Sequence, residues 1–318
     1  MNVPLSNYMK VGLVHFMAFP STIKGEGPVE ETIKKVALDD YFQVIEITTV
    51  KDPVVRERVK KILESSHLTV TYGAQPRLLT NGLNINDLRE EERQKALNNL
   101  KEGIDEAYEL GCKGFAFLSG KYEESSKEES YQALVNSTNE ICAYVKSKGS
   151  MRVTMEVFDY DVDKKSLIGP APLAARFAAE VRAKHPHFGL MVDLSHIPLL
   201  HETNEESILP VKEFITHAHI GNCVMKDSSM NAYGDVHPRF GFPNGENDVD
   251  EVVAFLRVLL QIGYLNEKDP PILSFEVKPF GDYSTVKSGF AFKSTWWQDS
   301  GIPVVKIKDI KEDYTLNQ

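Results

Sequence analysis

The chain has 318 residues, 42% of them hydrophobic and 26% charged, which suits a globular protein with a large core and excludes a disordered tail or a disulfide-held miniprotein. Its 36 lysines and arginines stand against 46 aspartates and glutamates, a formal net charge of −10. That balance repels a polyanion, and no basic run compensates for it, so nucleic acid is not an expected partner.

The opening stretch, MNVPLSNYMKVGLVHFMAFP, has no basic segment leading into a long apolar one, and no run of about 18 apolar residues occurs anywhere, so neither an export signal nor a membrane span is expected. In chain order, short apolar runs with few charges predict strands at 11–16 (VGLVHF), 44–50 (VIEITTV), 69–74 (TVTYGA), 114–119 (GFAFLS), 152–158 (RVTMEVF), 188–194 (FGLMVDL), 216–221 (THAHIG) and 272–277 (ILSFEV). Amphipathic stretches near 29–39, 54–65, 89–110, 127–148, 171–184, 204–214, 249–263 and 283–298 predict helices, with spacings such as Val252, Phe255, Leu256 and Leu259 marking a buried face. Eight such pairs at about 40 residues each predict a closed (β/α)8 TIM barrel, with a doubly wound open sheet as the alternative. No Gly/Ser/Pro linker interrupts the pattern, so residues 1–318 are expected to form a single domain. The longest irregular segment, about 222–248, is read as a functional loop. Cys112, Cys142 and Cys223 are odd in number and far apart, which fits reduced thiols and a cytoplasmic protein.

In a barrel of this kind reacting groups stand at the carboxyl ends of strands. Four consecutive runs finish there with a metal-ligating side chain: Glu156, Asp193, His219 and Glu276. Any one of them alone reads as readily as a helix cap or a satisfied core histidine; their coincidence on four successive strands points to a shared site. Buried carboxylates converging on one spot repel each other unless a cation neutralises them. Two glutamates, an aspartate and a neutral histidine make a mostly oxygen donor set, which predicts one divalent metal, Mn2+ first, with Mg2+, Co2+ or Zn2+ as alternatives. His196 is three residues past Asp193. Asp235, His237 and Arg239 cluster in the long loop, where they read either as a solvated loop or as a lid bringing an acid and a guanidinium over the metal. Lys278 shares a strand face with Glu276. His15 and Glu46 are candidates for the pocket wall, and Phe16, Phe19, Phe158, Phe240 and Phe242 for an apolar platform.

The stretches VTMEVF, GLMVDLSH, THAHIG and ILSFEV resemble the xylose isomerase-like barrel superfamily along the whole chain. The resemblance to its ketose 3-epimerases implies that Glu156, Asp193, His219 and Glu276 hold one divalent metal, with the two glutamates moving protons on opposite faces of a sugar, while His196, and less directly Arg239, bind substrate. One departure stands out: Val162 occupies the place of a further glutamate, with Asp159 or Asp161 as substitutes. Endonuclease IV is approached through Asp235-x-His237, but Gln75 and Leu118 stand where that family needs histidines. The stretches VHFMAFP, HIGNC and GDVHPRFGFPNGEND are similar to catalytic subunits of bacterial C-glycoside deglycosidases. That likeness implies β-elimination from a 3-oxo-glycoside and a small second subunit; an oligomer is also expected.

The sugar chemistries share removal of a proton α to a carbonyl, with Glu156 or Glu276 as base and His196 or His237 as acid. The expected activity is an eliminating lyase, with a ketose or inosose epimerase or isomerase as the alternative. A hydrolase like endonuclease IV and a non-catalytic sugar binder are the remaining classes.

Overall fold

The computed structural model describes residues 7–280. Every apolar run expected to be a strand is one: β1 (Lys10–Val14), β2 (Val44–Ile47), β3 (Thr69–Gly73), β4 (Gly114–Leu118), β5 (Arg152–Glu156), β6 (Phe188–Asp193), β7 (Ile215–Ile220) and β8 (Ile272–Phe275). They pair in parallel in sequence order, and β8 closes onto β1 through Lys10–Ile272 to Leu13–Phe275. The sheet is therefore a (β/α)8 TIM barrel with no free edge, and the open-sheet alternative is excluded. Strands buried on both faces carry the continuous apolar sequence that such a position demands.

The helices among the described residues are α1 (His15–Ala18), α2 (Val29–Ala37), α3 (Pro53–Ser65), α4 (Gln75–Leu79), α5 (Glu90–Glu109), α6 (Lys127–Lys148), α7 (Ala171–Arg182), α8 (His196–Leu199), α9 (Asn204–Ile208) and α10 (Val249–Gln261). Local chemistry sets several of their ends. Asp52 caps α3 by accepting from the backbone N–H groups of Val54 and Val55, with Pro53 in the first turn where its missing N–H costs nothing. Asp248 and Glu251 form a capping box that starts α10, which buries Val252, Phe255, Leu256 and Leu259.

Two expectations about helices need correction. The stretch 204–214 is not one helix: α9 ends at Ile208 and the chain tightens into a 3-10 turn over Leu209–Val211. Pro210 explains the break, because it has no N–H to donate to the preceding turn. His15 does not end β1 but begins α1. The expected helix at 283–298 lies outside the described residues. No helix among the described residues is long and apolar enough to cross a membrane.

One irregularity shapes the barrel interior. β7 pairs with β6 through Leu190–Ile215 and then Met191–His217, so Thr216 is an extra residue in the ladder. Its hydroxyl lies 3.4 Å from Thr154 Oγ1 on β5. A Cβ on Gly189 would sit 2.2 Å from Thr216 Oγ1 and 2.3 Å from its Cγ2. The bulge is accommodated because β6 presents no side chain there. Gly189→Ala is expected to destabilise the fold by about 1–3 kcal/mol through overpacking, read as a lowered urea midpoint at unchanged m-value; an unchanged midpoint would show that Thr216 yields freely.

Candidate metal centre

The carboxyl ends of the strands open into a cavity of about 360 Å3. Residues following five strands reach its wall: Phe16 after β1, Gln75 after β3, Phe158 after β5, Asp235 and His237 in the loop after β7, and Lys278 after β8. Glu156 at the end of β5, His219 near the end of β7 and Glu276 after β8 line the cavity, and Asp193, the last residue of β6, is buried beside them. The structure brings these four together, one ligand atom from each lying within 4.8 Å of the others. His219 Nδ1 is 2.7 Å from Glu276 Oε2, 3.6 Å from Glu156 Oε1 and 3.9 Å from Asp193 Oδ2.

Each member is oriented by a further group. Gln75 Nε2 donates to Glu156 Oε2 at 2.6 Å, and the Ser195 N–H donates to Asp193 Oδ1 at 2.7 Å. Glu46 Oε1 accepts from His217 Nε2 at 2.7 Å and from His219 Nε2 at 3.0 Å. Glu46 thereby holds the proton of His219 on Nε2 and leaves Nδ1 as the atom facing the other three residues, which is how a metal-ligating histidine is set. The remaining oxygens, Glu156 Oε1 and Asp193 Oδ2, are buried and have no hydrogen-bond partner. Anionic oxygens in that condition need positive charge, and three carboxylates with one imidazole form an oxygen-rich set that suits a divalent cation. Electrostatics agree. Burial raises the Glu276 carboxyl, with His237 and His219 opposing it. For His219 burial favours the neutral ring, yet the carboxylates of Glu46, Glu156 and Glu276 outweigh it and raise the imidazole well above its usual range.

The loop after β7 supplies the other half of the site. Asp235 Oδ1 lies 2.7 Å from His237 Nε2 and 3.1 Å from His196 Nε2, and its Oδ2 lies 2.9 Å from Lys164 Nζ. His196 Nδ1 is 2.8 Å from the Val157 carbonyl, so both ring nitrogens face acceptors. Burial disfavours charge on Asp235, but His237, Lys164 and His196 together hold its carboxyl well below the ordinary value. His237 has φ of 55°, an uncommon left-handed conformation that aims its ring at Asp235 and Glu276. Burial lowers and the Glu276 and Asp235 charges raise its imidazole, the net result being about 9. Asp193, His196 and His237 also group closely enough to ligate a metal, but Lys164 already provides a fixed cation on that side.

Not every expected site residue arrives. Arg239 is exposed and its Nη1 donates to the backbone carbonyls of Phe240 and Gly241, so it secures the loop and does not line the cavity. His15 Nε2 is hydrogen-bonded to Thr32 Oγ1 of α2 at 2.8 Å, away from the cavity lining, and burial pushes its imidazole down to about 3. Lys278 does line the cavity, as do Phe16 and Phe158; Phe19, Phe240 and Phe242 do not. Neither substitute for the missing glutamate reaches it. The Asp159 carboxylate accepts from the backbone N–H groups of Val162, Asp163, Lys164 and Lys165, and Asp161 pairs with His201. The residue delivered to the cavity from this segment is Lys164, which sequence reasoning missed, as it missed the amide role of Gln75.

The sequence matches the family described as Xylose isomerase-like TIM barrel over residues 36–284. The chain belongs to that family. None of the curated proteins matches it. Among solved members of this barrel type, a D-tagatose 3-epimerase-like protein superposes with a TM-score of 0.65 at 18% identity, covering 86% of this chain and 92% of the other. D-Psicose 3-epimerase from Clostridium cellulolyticum H10 gives 0.63 at 17% identity, covering 96% and 95%. The 3-keto-D-glucoside 4-epimerase YcjR from E. coli gives 0.61 at 18%, covering 86% and 94%. At such identities the likeness establishes the xylose isomerase-like barrel and leaves its chemistry to the residues.

Glu46→Gln is expected to weaken any divalent-metal binding at this centre about 10- to 100-fold by releasing the orientation of His219, measured by titrating metal-stripped protein. Unaltered affinity would mean that Nδ1 needs no such support.

Proposed function

We propose that this protein is a metal-dependent enzyme that moves the proton α to a sugar carbonyl, as an epimerase or isomerase of keto sugars, with manganese as its ion. The observation that carries the reading is the pair Glu156 and Glu276, 3.6 and 2.7 Å from the same nitrogen of His219 and both on the cavity wall. The epimerase names of the superposed structures support it. A bound divalent cation would supply the positive charge that stabilises negative charge developing on substrate oxygen. Glu156, Asp193, His219 and Glu276 would hold that cation.

The chain's own residues do the rest. Glu276, its carboxyl raised by burial, is suited to take a carbon-bound proton near neutral pH. Glu156, with Oε2 fixed by Gln75 and Oε1 bare, is the second carboxylate of the pair. Removal by one and return by the other inverts a carbon centre; return to the neighbouring carbon isomerises. His237, 3.6 Å from Glu276 Oε1, is placed to deliver a proton to a substrate oxygen, and the Asp235–Lys164 pair holds it there.

One observation favours a second reading, elimination from a 3-oxo-glycoside. Phe16, Met17, Pro20, Ile23, Leu79 and Phe158 give the cavity an extensive apolar wall, which suits a hydrophobic group carried by the sugar better than a bare polyol.

Incubation of manganese-loaded protein in D2O with keto sugars and 3-oxo-glycosides tests both readings. Deuterium is expected to enter the carbon beside the carbonyl, chelator to stop it, and Glu156→Gln and Glu276→Gln each to slow it about 100- to 10,000-fold. Full exchange in either variant would overturn the assignment of the pair. Exchange with intact sugar supports the epimerase or isomerase, and cleavage to an unsaturated sugar the elimination. Tight sugar binding without any exchange would reveal a binding protein instead.

A further inference from the structure

At the opposite end of the barrel from the cavity, the described residues contain one more grouping able to ligate a metal: Cys142, His185 and His187. Cys142 belongs to the last third of α6, and the two histidines lie in the short connection from α7 to the first residue of β6. One ligand atom from each is within 4.8 Å of the other two. The backbone builds this arrangement locally: the His185 N–H donates to the Val181 carbonyl at 3.0 Å, the Phe188 N–H to the His185 carbonyl at 2.9 Å, and the Val153 N–H to the His187 carbonyl at 3.3 Å. The two imidazole rings stand edge to face, 5.8 Å apart.

Polar accounting singles out His187. The Cys142 carbonyl hydrogen-bonds its imidazole, while Nε2 is buried with no partner. Nε2 is thus the ring nitrogen left open. A buried nitrogen without a partner, in a ring grouped with a thiol and a second imidazole, is what an open ligand position leaves. Burial and the nearby lysine charges lower both imidazoles, so both are neutral donors at neutral pH. Cys142 is fully buried and unpaired, whereas both histidines are half-buried and give an ion a way in. A thiol with two imidazoles is a soft to borderline donor set, which selects ions bound through sulfur and nitrogen over hard cations that seek oxygen.

We propose that Cys142, His185 and His187 form a second metal site, for a thiophilic ion of the zinc(II) type, separate from the oxygen-rich centre at the cavity. On binding, the S–H bond of Cys142 breaks, a sulfur–metal bond forms and the proton passes to water, with no change of oxidation state. Three protein donors leave a fourth tetrahedral position to water. The ion would pin α6 to the connection that leads into β6, and would stabilise the folded state by mass action.

Cobalt(II) separates the two sites, because only the second contains a thiol. Titration of the metal-stripped full chain is expected to produce a near-ultraviolet thiolate-to-cobalt charge-transfer band that saturates at one equivalent. Cys142→Ser should abolish the band, His187→Gln should weaken the underlying binding at least tenfold, and Cys223→Ser should leave it intact. Equilibrium dialysis against zinc should give one equivalent fewer in Cys142→Ser than in the unaltered chain. Absence of the band, or its persistence in Cys142→Ser, would overturn the proposal. Should Cys142→Ser fail to fold, His187→Gln, at a half-buried position, gives the same reading.

Discussion

Five buried carboxylates, Glu46, Glu156, Asp193, Asp235 and Glu276, crowd the mouth of this barrel, and their mutual repulsion is the constraint around which the surrounding structure is organised. Two are compensated from within. Glu46 receives two imidazoles, and Asp235 receives two imidazoles and the Lys164 ammonium. The other three converge on His219, and Glu156 Oε1 and Asp193 Oδ2 are left without a hydrogen-bond partner. The imbalance makes one half of the mouth a self-neutralised scaffold and gives the other half a candidate ligand set for a cation.

The barrel was legible because each strand is buried on both faces and must be written as an apolar run, and because the turns and caps between runs are sharp. The grouping of Glu156, Asp193, His219 and Glu276 was legible for a related reason: four successive apolar runs each close with a polar group, and the barrel brings those strand ends together. The limits are equally physical. Gln75 carries no charge, so its place two residues beyond β3 gave no sign that it would hold the Glu156 carboxylate. Lys164 sits in a charged stretch, DVDKKS, that reads as solvated surface, and only the turn wrapped around the Asp159 carboxylate sends it inward. Arg239 does not line the cavity because loop carbonyls, invisible to side-chain patterns, take its guanidinium. His15 does not because α1 starts at that residue and its ring meets Thr32.

The site also departs in its side chains from the family pattern that the sequence resembles. Where the ketose epimerase resemblance implies a further acidic side chain, this chain has Val162, and the neighbouring acids are occupied in holding the loop or pairing with His201. The group that reaches the cavity instead is a lysine bonded to Asp235. The wall opposite is apolar. Together these features give the cavity a mixed lining, in which Lys164 and Asp235 stand among apolar side chains such as Phe16, Ile23 and Phe158.

The contacts between Asp163, Lys164 and Asp235 join two separate stretches of chain. The Asp235 N–H donates to Asp163 Oδ2 at 3.1 Å, and Lys164 Nζ touches the side chains of both aspartates. The segment after β5 and the long segment after β7 are thus sewn into a single flap, anchored at its root by Asp159. Displacing either segment would have to break these contacts or carry the other segment with it.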